Sequence, residues 1–218
     1  QTEAMLRKNA ELEHTLQAFH RSGAVQGIVL AAPIGEVDAM RQNYVHALRL
    51  ADRVVAGGAE RQDSVGNALA SLGPEVEVVV VHDAVRPFVT PEMIRDSIQA
   101  ARLHGAALCA VPVSDTLKGV DAEGFVENTV DRRGLWRVQT PQAFRRQVLD
   151  DAFAQAAADN FYGTDESMLV ERLGRQVKVL TGSEFNIKIT RPEDLVLAAR
   201  IAALDIGQKP DAASGREA

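Results

Sequence analysis

Val76-Glu77-Val78-Val79-Val80-Val81-His82-Asp83-Ala84-Val85-Arg86-Pro87 joins the most strand-like run of this sequence to an acid and a guanidinium. Four consecutive valines favour extended backbone, because branching at Cβ stiffens the side chain and suits a pleated, buried surface. The run stops at His82-Asp83. Ligands of open α/β sheets bind beyond the carboxyl ends of the strands, so the residues that close this strand are the first to inspect for chemistry. Asp83 is suited to hold a magnesium ion through one or two oxygens while substrate phosphates and water complete the shell. An Asp83/Arg86 ion pair that only fixes the loop explains the same residues equally well.

Outward from this run, strand-like and helix-like segments alternate. Ile28 to Ala32 is short, apolar and followed by Pro33 and Gly35, and Arg53 to Ala56 ends at Gly57-Gly58. Ala106 to Val113 and Gln176 to Leu180 complete the core set, with Asn186 to Ile189 as a shorter strand. Between them, Thr90-Pro91-Glu92 offers an N-cap, a proline for the first turn and an acid near the positive end of the dipole. Thr190-Arg191-Pro192-Glu193 repeats the pattern, with Glu193 set to close a capping box. In the helix that follows, Leu195, Ala198, Ala199 and Ala202 recur at helical spacing and are expected to face the sheet. The alternation predicts an α/β fold with a mainly parallel sheet flanked by helices.

One domain over residues 1–206 accommodates these elements, and residues 207–218, rich in Gly, Pro, Ser and charge, read as a flexible tail. Ser114 to Gly134 breaks the alternation: Val120-Asp121-Ala122-Glu123-Gly124 is a turn signal between two short polar strands. A two-stranded ribbon is marginal alone in water, so this protruding hairpin arm is expected to rest on something, a second subunit being the natural support.

Across 218 residues, 46% hydrophobic and 25% charged, the composition is that of an ordinary soluble protein. A formal charge of -6 argues against a nucleic-acid backbone as ligand and for small phosphates. No apolar run approaches a membrane span, no leader pattern opens the sequence, and the cytoplasm is the expected compartment with no membrane partner. Cys109 lies in the apolar run Ala106 to Val111 and reads as a small buried hydrophobe. His14, His20, His46, His82 and His104 share no metal-ligand spacing, and neither a phosphate-binding P-loop nor a Gly-x-Ser-x-Gly elbow occurs.

Gly57-Gly58-Ala59-Glu60-Arg61-Gln62-Asp63-Ser64 runs from a flexible turn into a helix, where glycines permit close approach of a ligand and helix amides favour anions or polar base edges; an ordinary helix entry fits as well. Lys188, between Ile187 and Ile189, points away from them, so isoleucines facing the core would deliver its ammonium to a rim or cleft; a solvated edge lysine is the alternative. Thr129-Val130-Asp131-Arg132 and Gln139-Thr140-Pro141-Gln142 also bring polar groups out of strand-like contexts, while Thr164-Asp165-Glu166-Ser167 reads as an N-cap with acids in the first turn.

In this order and spacing, Gly57 to Val65, Val81 to Pro87, Pro112 to Lys118, Thr129 to Trp136, Thr140 to Phe144, Thr164 to Ser167 and Asn186 to Leu195 closely resemble the 2-C-methyl-D-erythritol 4-phosphate cytidylyltransferase family. The resemblance implies a Rossmann-like nucleotidyltransferase fold, a homodimer clasped by the arm, and transfer of CMP from CTP, with Mg2+, to methylerythritol phosphate in non-mevalonate isoprenoid biosynthesis. It assigns Asp83 to the metal and Lys188 to the reacting phosphates, and Arg86, Thr116, Arg132 and Thr140 to the polyol phosphate, with Thr116 and Arg132 reaching the partner's site. Gly58, Ser64 and Ala84 match positions around the cytidine, and Ala59 stands where some members carry an acid. The family's loop of the type Pro-Ala-Ala-Gly-x-Gly-x-Arg-Met does not occur in this sequence, which implies that it lies in residues ahead of Gln1 in a parent protein. Met5-Leu6-Arg7-Lys8-Asn9 would be its remnant and Lys8 the candidate second catalytic lysine. A ribitol-5-phosphate cytidylyltransferase and an inactive dimeric nucleotide-binding homologue are the alternatives that share these motifs.

Overall fold

The computed structural model describes residues 2–204, with side chains from residue 10 onward. The expected tail at 207–218 and the side chain of Lys8 lie outside the described residues. The elements run in order α1 (Thr2–Ser22), β1 (Val29–Ala32), α2 (Val37–Asn43), α3 (Val45–Leu48), β2 (Arg53–Ala56), α4 (Arg61–Ala70), β3 (Val78–Val81) and α5 (Pro91–His104). They continue through β4 (Ala106–Pro112), β5 (Leu117–Val120), β6 (Val126–Val130), β7 (Trp136–Arg145), α6 (Arg146–Ala158), α7 (Glu166–Arg172), β8 (Lys178–Thr181) and α8 (Pro192–Ala203).

β1 and β2 form a parallel pair, and the larger sheet has the order β3-β7-β4-β8. β7 is antiparallel to both neighbours and β4 is parallel to β8, so β3, β4 and β8 share one direction and β7 runs against them. The mainly parallel expectation holds for strand direction, with one addition: an antiparallel strand, β7, stands between two parallel ones. Its centre, Gln139-Thr140-Pro141-Gln142, is polar and carries a proline, the two features that argue against a buried strand. The structure tolerates them because each polar group is satisfied. Gln142 Nε2 donates to Asp165 Oδ2 at 2.9 Å, and Gln142 Oε1 accepts from the Ser167 amide at 3.1 Å.

β4 is buried along Ala106 to Val111 because both faces of the sheet are covered. On one side Phe144, Val148, Leu149, Ala152, Leu169 and Val170 form a cluster with α6 and α7. On the other, Ala18 and Phe19 of α1 and Met93, Ile94 and Ile98 of α5 pack over Cys109. Complete burial of a side chain such as Leu149 or Ile94 is worth about 1.5–3 kcal/mol, and these two layers hold the strand ends in register.

Helix starts follow the sequence closely in one case and by a shift in another. Thr90 Oγ1 accepts from the Met93 amide at 3.2 Å and Pro91 opens α5, which ends at Gly105, where φ of 93° favours glycine. At α8 the N-cap is Arg191, one residue later than Thr190, so Asp194 rather than Glu193 is the acid that reaches back. Its Oδ2 accepts from the amides of Thr190 at 2.9 Å and Arg191 at 2.8 Å. The inward face of α8 is Leu195, Ala198 and Ile201; Ala199 and Ala202 are exposed, because the larger Ile201 takes the third turn of the stripe.

β5 and β6 pair only with each other among the described strands, as the arm expected over 114–134. No helix among the described residues is long and apolar enough to cross a membrane.

Candidate active site

The valine strand ends at Val81, and Asp83 follows at the rim of the sheet. Lys188 reaches it from the far end of the sequence: Lys188 Nζ lies 3.1 Å from Asp83 Oδ2. The segment that carries Lys188 pairs with no strand among the described residues, which corrects the short strand expected at Asn186 to Ile189. It is instead tied to the Asp83 loop residue by residue. The Ile189 amide donates to the Val85 carbonyl at 2.9 Å, and Arg86 Nη1 donates to the Asn186 carbonyl at 2.8 Å. Ile189 is buried and Lys188 emerges opposite it, so the alternation holds without a ladder.

Two more cations face Asp83. Arg86 Nε stands 3.4 Å from Oδ2, and Arg61 Nη2 stands 3.4 Å from Oδ1. The Asp83/Arg86 pair that would merely fix the loop is thus present, inside a larger cluster. Desolvation pushes the Asp83 carboxyl up, but Lys188, Arg61 and Arg86 together outweigh it and hold Asp83 below its ordinary value.

Arg61 and Glu166 are the site residues that sequence reasoning missed. Arg61 Nη1 donates to both oxygens of Glu166, at 2.7 and 2.9 Å, and the Glu166 side chain is 1% exposed. Burial raises the Glu166 carboxyl, with Arg61 offsetting part of the rise. The N-cap reading of this region is right for Asp165, whose Oδ1 accepts from the Met168 amide at 2.9 Å, and the structure adds that the next acid turns inward. A pair separated by 105 residues leaves no local pattern; the only signal was an acid beside a cap and an arginine opening α4.

Lys188, Arg86 and Arg61 against Asp83 and Glu166 leave one net positive charge (3 − 2) at the rim of a chain whose formal charge is -6. The Lys188 side chain is 42% exposed against 12% for Asp83, so the ammonium is open to an arriving anion while the acid is enclosed.

The Gly57-Gly58 turn is explained by packing. A Cβ on Gly57 would lie 2.7 Å from both the Ala32 carbonyl oxygen and Ser64 Oγ, and one on Gly58 would lie 2.0 Å from Asp63 Cβ. Ser64 Oγ accepts from the Gly58 amide at 3.0 Å, so these two residues expected at the cytidine are brought together at the start of α4. Ala84 is exposed beside Asp83, and its carbonyl accepts from Thr15 Oγ1 of α1 at 3.0 Å.

Thr140 is beneath the loop, 4% exposed, where its hydroxyl oxygen accepts from the Asp83 amide at 3.0 Å and meets His82 Nδ1 at 3.0 Å. Desolvation lowers the His82 imidazole to about 4, so the ring is neutral near pH 7. Thr116 and Arg132 are exposed on the arm segment, Arg132 donating to the Ser114 carbonyl, and among the described residues neither bonds to the Asp83 cluster.

Residues 4–203 match the family model described as 2-C-methyl-D-erythritol 4-phosphate cytidylyltransferase. The chain belongs to that family. A cytidylyltransferase of Syntrophus aciditrophicus (strain SB) is 45% identical over 189 residues, 86% of this chain and 81% of the relative. One of Pelotomaculum thermopropionicum is 45% identical over 201 residues, covering 91% and 84%. Among solved structures, 4-diphosphocytidyl-2C-methyl-D-erythritol synthase from Anaerococcus prevotii superposes with a TM-score of 0.77 at 34% identity over 89% of each chain. The cytidylyltransferase of Thermus thermophilus gives 0.74 at 33% identity over 88% of each. The architecture is therefore the Rossmann-like nucleotidyltransferase fold of this cytidylyltransferase family. Of the residues that the family resemblance marks, Asp83, Arg86 and Lys188 meet within one chain, and Thr116 and Arg132 stand apart on the arm.

Proposed function

We propose that this chain transfers the cytidylyl group of CTP to the phosphate of 2-C-methyl-D-erythritol 4-phosphate, releasing pyrophosphate, as a step of non-mevalonate isoprenoid precursor biosynthesis in the cytoplasm. The observation that carries the reading is the meeting of Lys188 with Asp83 at 3.1 Å among two further cations, on a chain of the matching family. A phosphate oxygen of the polyol phosphate attacks the α-phosphorus of CTP in line. A new P–O bond forms, the bond to the β-phosphate oxygen breaks, and the electron pair leaves with pyrophosphate. The attacker is already an anion, so no general base is required and catalysis comes from alignment and charge neutralisation. Lys188 and Arg86 supply positive charge at the rim. Gly58, Ser64 and Ala84 would border the cytidine.

Magnesium fits the donor set. Among the described residues no group of three or more His, Cys, Asp or Glu could cage a metal, and of the two acids at the rim Glu166 is buried against Arg61, which leaves Asp83 as the carboxylate a cation could reach. A single carboxylate suits a cation that takes the rest of its shell from phosphates and water. Asp83 would hold Mg2+, which when bound neutralises charge on the nucleotide phosphates.

On the same reading the chain works as a homodimer. Val120, Phe125, Val126, Val130, Leu135 and Trp136 are exposed on or beside the arm, an apolar surface that supports a second subunit rather than water as its neighbour. Thr116 and Arg132 then serve the partner's site. Pyrophosphate release by the complete protein, with CTP and Mg2+, decides the assignment. Turnover is expected with methylerythritol phosphate and much less with ribitol 5-phosphate; the reverse preference, or release with neither, would overturn it.

A further inference from the structure

We propose that His82 and Thr140 are positioning residues for Asp83, forming a hydrogen-bond relay that fixes its carboxylate against Lys188. The proposal rests on the reading of Asp83 and Lys188 as the reacting centre. The direction of every bond in the relay follows from what each group can do. His82 Nε2 lies 3.1 Å from the Arg86 carbonyl oxygen, which only accepts, so Nε2 carries the ring proton. A neutral imidazole has a single N–H, so Nδ1 accepts, and its partner 3.0 Å away, the Thr140 hydroxyl, donates. The same hydroxyl oxygen accepts from the Asp83 amide at 3.0 Å.

The relay begins at the Asp83 amide and ends at the Arg86 carbonyl, and the Arg86 amide returns to the Asp83 carbonyl at 3.0 Å. The loop is thereby closed on itself through a residue of β7. Both Asp83 and Arg86 are held by it. The His82 ring is backed by Phe19 of α1, with centroids 5.3 Å apart, so it cannot swing away without disturbing the core beneath.

The one proton of the Thr140 hydroxyl goes to His82, so in this arrangement Thr140 does not donate to a phosphate oxygen, while its second lone pair stays able to accept from a hydroxyl of the polyol.

Wild type, Thr140→Val, Thr140→Ser, His82→Phe and the Thr140→Val/His82→Phe double variant test this. Nitrogen NMR of the wild-type imidazole should show the proton on Nε2; a proton on Nδ1 breaks the relay. In steady-state assays, Thr140→Val and His82→Phe should each lower kcat about tenfold or more while KM for the polyol phosphate stays within about twofold, the signature of lost alignment. Thr140→Ser should recover most of that loss, and the double variant should be no worse than the worse single one. A raised KM at unchanged kcat would return Thr140 to the substrate, and additive losses would deny the coupling. Hydrogen exchange at the Asp83 amide gives a readout independent of turnover. Protection should fall in Thr140→Val and persist in Thr140→Ser, and unchanged protection in Thr140→Val overturns the proposal even if no substrate is turned over. If His82→Phe does not fold, the Val/Ser pair and the ring proton decide alone.

Discussion

The rim around Asp83 and the hairpin arm are opposite solutions to exposure. At the rim, five charged side chains from four parts of the sequence satisfy one another, and Glu166 is removed from water almost entirely. On the arm, β5 and β6 bond to each other, through the backbone ladder and from Lys118 to Thr129, and leave Phe125 72% and Val126 61% exposed. The ion pairs of the rim close within a single chain, whereas the arm leaves apolar side chains exposed, as the proposed second subunit would require. The contrast shows that polar groups can be enclosed and apolar ones left in water within one molecule: the presence of partners, not polarity, decides which.

The largest effect that would test the rim is the loss of its open cation. Lys188→Ala should lower kcat by about 10²–10³, or roughly 3–4 kcal/mol of transition-state stabilisation, since the charge acts where water is partly excluded. Near-normal turnover in that variant would mean that the 3.1 Å contact only anchors the loop. For the arm, Phe125→Asp combined with Val126→Asp should give a monomer by light scattering and lower turnover by about ten- to a hundredfold, because charge-assisted contacts from the partner subunit's Arg132 are worth roughly 1.5–3 kcal/mol. The thermal midpoint of the core should barely change. A dimer that survives both substitutions would transfer the interface elsewhere.

Much of this contrast was legible beforehand, and unevenly so. The valine run, the Thr90-Pro91 helix start and the arm were readable because each is a local signal: β-branching, a cap, a turn between polar strands. Asp83 and Lys188 could be named because each stands just past an apolar run. β7 was not legible as a central strand, because Gln139, Gln142 and Pro141 are credible inside a buried sheet only once Asp165, Ser167 and Ser183 are brought up as partners. Arg61 with Glu166 was hidden for the same reason: a buried charge is credible only when its partner is known, and the partner lies 105 residues away.

A smaller effect would sharpen the account of the rim. Its two acids are shifted in opposite directions. The cations hold Asp83 below its ordinary 3.8, so its contribution to stability is present above that pH and is lost as pH falls through the folded value. Burial holds Glu166 above its ordinary 4.5, so its contribution is present below that pH and declines as pH rises through the folded value. Asp83→Asn and Glu166→Gln should therefore change the acid limb of a urea-unfolding series with slopes of opposite sign. Equal slopes would show that the cluster titrates as one unit rather than as two acids in different settings.

The smallest effect compares one chemical pair in two places. Arg133 and Asp131 on the arm approach to 2.5 Å, closer than the 2.7 Å between Arg61 and Glu166 at the rim, yet the arm pair has side chains 89% and 59% exposed. Distance alone would rank the arm pair higher. Water screens it and both side chains must be immobilised to hold it, whereas at the rim the enclosed carboxylate has few other partners. Arg133→Ala should leave the thermal midpoint unchanged within error at both low and high salt, while Glu166→Ala should lower stability by about 1–3 kcal/mol because it leaves Arg61 without its main acceptor. If the two variants lose the same amount, the enclosure of the rim contributes nothing, and the difference between the two regions reduces to the apolar surface of the arm.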